Sequence, residues 1–230
     1  MLFGIMLKYY FYKNHVDIKF QMGEIMRSVI ALIFIFSVFG CATSEIRFIE
    51  PQTESSPTEK MVSKDFDTAW ANMVSGLSRE FFVINNIEKD SGIINVSYAA
   101  EDPSPFVDCG LAEVVVNRDV NVVDMSKENS FPWAYQDGIY TFVGRVENNP
   151  SVSGRVNIYM AESGNGQTSI NVNARYVVTL IQTAFNNVGA RINRNESTTT
   201  FETGSSGSFD NVVCTNTGEL ENRILSLVSE

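Results

Sequence analysis

The chain has almost no histidine and few cysteines, and this scarcity excludes several classes of function. Its 230 residues include one histidine, His15, and three cysteines. A single histidine so near the N-terminus leaves no basis for Ser-His-Asp or Cys-His catalysis, or for zinc sites that contain histidine. Gly-rich nucleotide-binding motifs are also missing from the sequence. We therefore expect no catalytic residues, no bound metal and no cofactor.

Long apolar runs are missing as well. The most apolar segment, residues 29–39, is preceded by Arg27 and followed by Gly40 and Cys41. Crossing a bilayer takes about 20 apolar residues, so this shorter segment fits the hydrophobic region of a signal peptide better than a transmembrane helix. A basic start, an apolar core and a small residue before a cysteine resemble a bacterial lipoprotein signal with its lipobox.

The lipobox resemblance implies that residues 26–40 are removed and that Cys41 carries lipid. Residues 1–25 then form an upstream start-site extension, or else a long basic leader. Ala42 follows the cysteine where an Asp would favour retention in the inner membrane, so the resemblance implies anchoring in the outer membrane, on its periplasmic face. The pattern departs from the family at Phe39, where a smaller residue is usual. A secretory signal with an incidental Cys41 is the alternative.

Basic residues are in deficit once the leader is removed. The leader contains four basic and two acidic residues, which leaves 13 basic and 25 acidic side chains and a net charge of −12. This balance opposes binding to nucleic acid and to anionic lipid. We therefore expect no nucleic-acid partner.

The cysteine count becomes even when Cys41 is lipidated. Cys109 and Cys214 then remain. In an oxidising periplasm they form a candidate disulfide that closes a long loop. Two separate buried thiols are the alternative interpretation.

The mature chain divides into a tether and one domain. Residues 41–60 predict a lipidated cysteine followed by a flexible tether, in which three apolar residues either dip into the membrane interface or dock on the domain: Ile46, Phe48 and Ile49. Residues 61–230 predict a single α+β domain. It consists of an antiparallel sheet with an N-terminal and a C-terminal helix packed on one face.

The opening of this domain carries a family resemblance. Residues 66–70, Phe-Asp-Thr-Ala-Trp, and residues 90–96, Asp-Ser-Gly-Ile-Ile-Asn-Val, resemble the start of BamC-like envelope lipoprotein domains. The resemblance implies a helix-grip fold, in which sheet and helix wrap together. It also implies a binding role without catalysis.

Aromatic residues in a segment read as a loop are the best candidates for contact with a partner. They are Phe131, Trp133, Tyr135 and Tyr140, around residues 126–139. Aromatic side chains are enriched at protein interfaces. Alternatively, Trp133 folds back onto the sheet.

Two functions remain open at this point. The first is a noncatalytic lipoprotein, lipid-anchored in the outer membrane, that binds another envelope component, most simply a protein, in an assembly or accessory role. The second is a periplasmic hydrolase that uses carboxylates, or a small-ligand carrier. The hydrolase requires two acids in one cleft. Its candidates are Glu101, Asp102, Asp108, Asp119 and Asp124.

The lipobox predicts a chemical modification that mass spectrometry can detect. In membranes of the native host, the N-terminal peptide should begin at Cys41 and carry acyl chains. An unmodified Cys41 thiol in those membranes would contradict the prediction.

Overall fold

The computed structural model describes residues 45–52 and 57–228. Of the described residues, 60% lie in strands and 12% in helices. The predicted α+β class with a helix-grip arrangement is therefore wrong. The described part of the chain is mostly β, and its strands form several antiparallel sheets.

Two helices and thirteen strands occur within the described residues. The helices are α1 (Phe66–Arg79) and α2 (Glu219–Ser226). The strands are β1 (Glu45–Ile49), β2 (Glu59–Val62), β3 (Val83–Glu88), β4 (Ile93–Ala100), β5 (Val107–Asp108), β6 (Leu111–Val116), β7 (Asp119–Asp124), β8 (Asn129–Asp137), β9 (Tyr140–Glu162), β10 (Thr168–Phe185), β11 (Arg191–Glu202), β12 (Ser206–Phe209) and β13 (Val212–Asn216).

Strands β9 and β10 form the centre of a seven-stranded sheet. They contain 23 and 18 residues. Antiparallel pairing runs without a break from Thr168 opposite Glu162 to Phe185 opposite Arg145. Each strand has two partners in succession along its other edge: β8 and then β4 beside β9, and β2 and then β11 beside β10.

Pro150 lies where β9 changes partner. The pairing of β8 with β9 ends opposite Asn148, and the pairing of β4 with β9 begins opposite Val152. Between these residues β9 pairs only with β10. Proline has no N–H to donate to a ladder and is confined to positions of this kind. Pro132, in turn, lies in β8, which pairs only with β9.

The sheet packs one face against the core, and side chains alternate accordingly. Over residues 148–160 of β9 and 168–180 of β10, the even-numbered positions other than Gly154 are buried, whereas Asn157, Asn173 and Arg175 on the odd-numbered positions are exposed. This is the alternation expected of an antiparallel sheet with one solvated face. The buried set on these two strands is Val152, Val156, Ile158, Met160, Ile170, Val172, Ala174, Tyr176, Val178 and Leu180.

Helix α1 begins after Asp65, whose side chain accepts a hydrogen bond of 3.0 Å from the backbone N–H of Thr68. This is the N-cap that satisfies a free donor of the first turn. The helix buries Trp70, Met73 and Leu77 in the core. The cap thus fixes where α1 begins, and its buried residues fix which side faces the core.

The two helices meet at Gly76. A Cβ there would collide with the side chain of Leu227, directly after α2. The guanidinium of Arg223 in α2 also donates to the Glu80 carboxylate at the end of α1, with a distance of 2.9 Å from Nε. Close approach and an ion pair thus join the first and last helices of the domain.

The α+β expectation failed because the strands are longer than their sequence pattern predicts. Residues 126–139, with Gly138, and residues 182–196, with Gly and several Asn, both have a composition typical of loops. In the structure, most of them belong to β8, β10 and β11. Pairing with β9 and β10 satisfies the backbone of these polar segments, so their weak intrinsic strand propensity does not decide their conformation.

Part of the segment interpreted as a tether belongs to the folded unit. β1 pairs with β6, with Phe48 opposite Ala112, and β2 pairs with the start of β10. Phe48 packs against the core. The structure therefore shows docking of these residues on the domain. Cys41 and the leader lie outside the described residues.

The two remaining cysteines lie at disulfide-bonding distance. The structure joins Cys109, directly after β5, to Cys214 in β13, and both are buried. β5 also pairs with β13 through two residues, so the bond reinforces a very short ladder. The cross-link spans 105 residues of sequence. It therefore joins the middle of the chain to its last strand.

Removing this bond should lower stability. We expect the Cys109→Ser/Cys214→Ser double variant to lose about 2–4 kcal/mol of unfolding free energy, because the unfolded chain gains the entropy of an open loop. Urea denaturation measures the loss. Reductant should shift the midpoint of the wild type toward that of the variant and leave the variant unchanged. An equal midpoint for the wild type with and without reductant would contradict the prediction.

Candidate functional site

One part of the long sheet extends away from the core. We call β8 together with residues 140–148 of β9 the aromatic arm. Its turn is Gly138–Ile139, with positive φ at Gly138 only, which is the pattern of a type II′ hairpin. Exposure rises from the base to the tip: Phe131 is 6% exposed, whereas Tyr140 is 65% and Ile139 is 89% exposed.

The four predicted contact residues therefore separate into two groups. Phe131 belongs to the core and is not available to a partner. Trp133 and Tyr135 are half-buried, and Tyr140 is exposed. Phe142 joins these three on the arm but was not predicted from the sequence. The feature that identifies Phe142 is the register of β8 with β9, which places it opposite Tyr135.

Aromatic rings follow one another along the arm. The ring centroids of Trp133 and Tyr135 lie 5.4 Å apart, those of Tyr135 and Phe142 lie 5.7 Å apart, and both pairs are stacked. Tyr140 continues the series at 6.3 Å from Phe142. We call these four residues the aromatic strip. Offset stacking of this kind stabilises a hairpin that has no core behind it.

Gly144 allows Trp133 to lie across the sheet. The indole N–H of Trp133 donates to the carbonyl oxygen of Phe185 at 3.4 Å, although β9 runs between the two strands. Gly144 is opposite Trp133, and a Cβ on it would collide with both the indole and that carbonyl. The tryptophan folds back onto the sheet, and the missing side chain provides the space.

A second glycine, ten residues further along β9, allows another side chain to cross the strand. Gly154 is opposite Tyr98 of β4, and the Tyr98 hydroxyl crosses β9 to donate to the carbonyl oxygen of Arg175 at 3.4 Å. A Cβ on Gly154 would collide with the tyrosine and the carbonyl. Glycine in a strand interior often marks a close approach of this kind. Here it ties both partners of β9 to β10.

Tyr135 connects the arm to the neighbouring hairpin. Its hydroxyl donates to the Asn187 side chain at 3.1 Å and accepts from the Asn187 backbone N–H at 3.4 Å. Asn187 lies between β10 and β11. On the other face of the sheet, the Arg145 guanidinium lies 4.7 Å from the Phe185 ring centroid and pairs with Glu147 at 2.8 Å. These contacts fix the aromatic strip on a paired sheet, although it lies outside the core.

Two of the candidate acids line a common depression but are engaged locally. Asp108 and Asp124 border an open depression of about 470 Å³. Asp108 accepts from the backbone N–H of Gly110 at 2.8 Å, and Asp124 pairs with Lys127 at 2.7 Å. Partial burial acts to raise the pKa of Asp124, but the Lys127 ammonium and the N–H of Ser126 outweigh it, so this pKa lies below its ordinary value. A general acid requires the opposite shift.

The other acids do not converge either. Asp102 accepts from the N–H of Ser104 in a local turn at 3.0 Å. Asp119 and Asn121 point to one face of β7 and Asp124 to the other, because side chains alternate along a strand, so these three cannot share a calcium ion. Among residues 45–52 and 57–228, no group of three or more acids, cysteines or histidines is placed to hold a metal.

A buried carboxylate in α2 escaped sequence reasoning. Glu221 is fully buried, and its Oε1 accepts from the Tyr176 hydroxyl at 2.8 Å and from the Thr203 hydroxyl at 2.6 Å. Burial first, and then the nearby Glu221 charge, raise the pKa of Tyr98 and Tyr176 well above the ordinary value. Both tyrosines stay protonated and remain hydrogen-bond donors. This cluster attaches α2 to β10.

Comparison with known proteins gives no independent identification. No protein-family model matches the chain, and neither does any curated protein or solved structure. Neither helix within the described residues is long and apolar enough to cross a membrane. The arrangement of side chains on the molecule itself therefore carries the functional argument.

The glycine crossing at Trp133 predicts a spectroscopic change. In a Trp70→Phe background, Trp133 is the single tryptophan. Gly144→Ala should displace it, and its fluorescence should shift to longer wavelength because the indole loses the sheet and meets water. Val143→Ala, on the other face of the same strand, should leave the emission unchanged. Identical spectra for Gly144→Ala and its parent would contradict the crossing.

Proposed function

We propose that this chain is a noncatalytic lipoprotein, anchored through Cys41 in the outer membrane and facing the periplasm, that binds another protein of the cell envelope. The observation that carries the binding role is the aromatic strip. Four aromatic side chains lie on a paired, hydrogen-bonded sheet, yet outside the core. Large rigid side chains held in this way lose little conformational entropy when a partner covers them.

The composition of the strip supports a protein partner. Trp and Tyr are the residues most enriched at binding hot spots, together with Arg. Trp133 and Tyr135 are half-buried, and Tyr140 at the tip is 65% exposed. The strip thus grades from a supported base to an open tip, which suits insertion into a groove of a partner.

The carboxylate hydrolase and the small-ligand carrier receive no support from the described residues. The pKa of Asp124 lies below its ordinary value, and both acids of its depression are engaged in local contacts. A second depression of about 530 Å³ is open and lies beside the Lys89–Asp67 ion pair. Asp90 and Glu162 also line the second depression, so proton transfer is opposed only at the first, whose acids Asp108 and Asp124 are engaged locally.

Site-specific photocrosslinking tests the binding role. A photoreactive phenylalanine analogue at position 140, in the full chain in native membranes, should give one defined protein adduct. The matched control places it at Tyr159, which is 53% exposed on the other face of the sheet, and it should not give that adduct. The same adduct from both positions, or none from position 140, would count against the proposal.

Trp133→Ala should then weaken capture at position 140. Loss of a hot-spot side chain costs about 2 kcal/mol or more, which is roughly thirtyfold in affinity. Tyr159→Ala is the control and should leave capture unchanged. The far-ultraviolet circular dichroism of both variants should match the wild type, because neither residue belongs to the buried core.

A further inference from the structure

We propose that the outer face of the three-stranded sheet β1–β6–β7 lies against the surface of a zwitterionic phospholipid bilayer. The inference rests on the proposed lipid anchor at Cys41 and adds the orientation of the domain on the membrane. Two independent observations support it: the apolar side chains of this face, and the short length of chain between the anchor and β1.

The outer face of this small sheet carries several exposed apolar side chains. Its inner positions pack into the core, among them Ala112, Val114 and Val123. The alternate positions point outward, where a solvated antiparallel sheet normally carries polar residues. Here they include Ile49 (38% exposed), Leu111 (38%), Val120 (61%) and Val122 (62%). An exposed apolar group of this kind indicates an interaction surface.

The register brings these side chains together. Ile49 is opposite Leu111, and Arg47 is opposite Glu113, which is opposite Val122. The face also carries four charged residues, Glu45, Arg47, Glu113 and Asp124. Arg47 pairs with Glu113 at 3.7 Å, and Asp124 pairs with Lys127 at 2.7 Å. The outward face of the seven-stranded sheet also carries exposed apolar side chains among its Asn, Ser, Thr and Arg, including Val83 (64%), Ile93 (40%) and Tyr159 (53%). The sheet that contains β1 differs in that its exposed apolar side chains lie next to the end of the described chain that leads to Cys41.

Chain length holds this sheet near the anchor. Only residues 42–44 separate Cys41 from Glu45, the first residue of β1. A fully extended chain spans at most about 3.5 Å per residue, so Glu45 lies within roughly 14 Å of the lipidated cysteine. A free tether extending to residue 60 would have had a root-mean-square span of about 25 Å and would have lifted the domain away. Because β1 pairs with β6, the free segment is shortened to residues 42–44.

Charge selects the type of lipid. The mature chain carries a net charge of −12, which repels an anionic surface. Contact must therefore come from the acyl anchor and the apolar side chains rather than from attraction to headgroups. A zwitterionic bilayer fits both requirements, because it accepts acyl chains and apolar side chains and does not repel a negatively charged protein.

Tryptophan quenching in liposomes tests the orientation. The full-length lipidated protein, with Trp70→Phe and Trp133→Phe, receives one new tryptophan, Val122→Trp, and is reconstituted in phosphatidylethanolamine and phosphatidylcholine with brominated acyl chains. Indole at the membrane interface lies close to the acyl chains, so emission should fall about twofold relative to unbrominated lipid. Val120→Trp, two residues away on the same face, is a second probe.

The matched control is Tyr159→Trp on the outer face of the seven-stranded sheet, and we expect no quenching there. Mass spectrometry of the same sample establishes the lipid on Cys41. Lipidated protein with no quenching at either valine position, or with equal quenching at position 159, would overturn the orientation and leave the proposed anchor intact. Absence of lipid on Cys41 would overturn both.

Discussion

The fold depends on the continuous pairing of β9 with β10. Eighteen residues of each strand face one another without a shift in register, from Thr168 and Glu162 to Phe185 and Arg145. This ladder is longer than any of the strands β2, β4, β8 and β11 beside it, so each of its edges pairs with two strands in succession. The core packs against most of this ladder. The aromatic arm overlaps the ladder only at residues 145–148 and continues beyond its end as the hairpin of β8 with β9.

Two glycines in β9 connect that ladder to aromatic side chains. Gly144 and Gly154 leave space for Trp133 and Tyr98 to cross the strand and reach carbonyl oxygens of β10. The inner crossing lies in the core and stabilises packing around Tyr176 and Glu221. The outer crossing lies on the arm, where it holds an aromatic surface in position without burying it. One structural device thus supports both the fold and the proposed binding surface.

The sequence predicted some elements well because their signals are local. Asp65 and the apolar residues after it define α1, since capping and helical periodicity depend on near neighbours. The hairpin of β9 and β10 around Gly164 and Gly166 has a local signal of the same kind, because apolar and polar residues alternate on either side of its turn. The aromatic candidates were found from composition, but Phe131 was misplaced and Phe142 was missed, because burial depends on where the core ends.

By itself, the sequence determined the signal resemblance at Cys41, the negative charge and the presence of a single histidine, and it offered Cys109 and Cys214 as a candidate pair. Tertiary structure decided the rest. Polar segments such as residues 191–196 became strand because β10 satisfies their backbone, and the mostly β fold follows from that pairing. Pairing of β1 with β6 likewise turned a predicted tether into part of the sheet. Such contacts between distant residues leave no local pattern, since each strand is stabilised by partners that lie elsewhere in the chain.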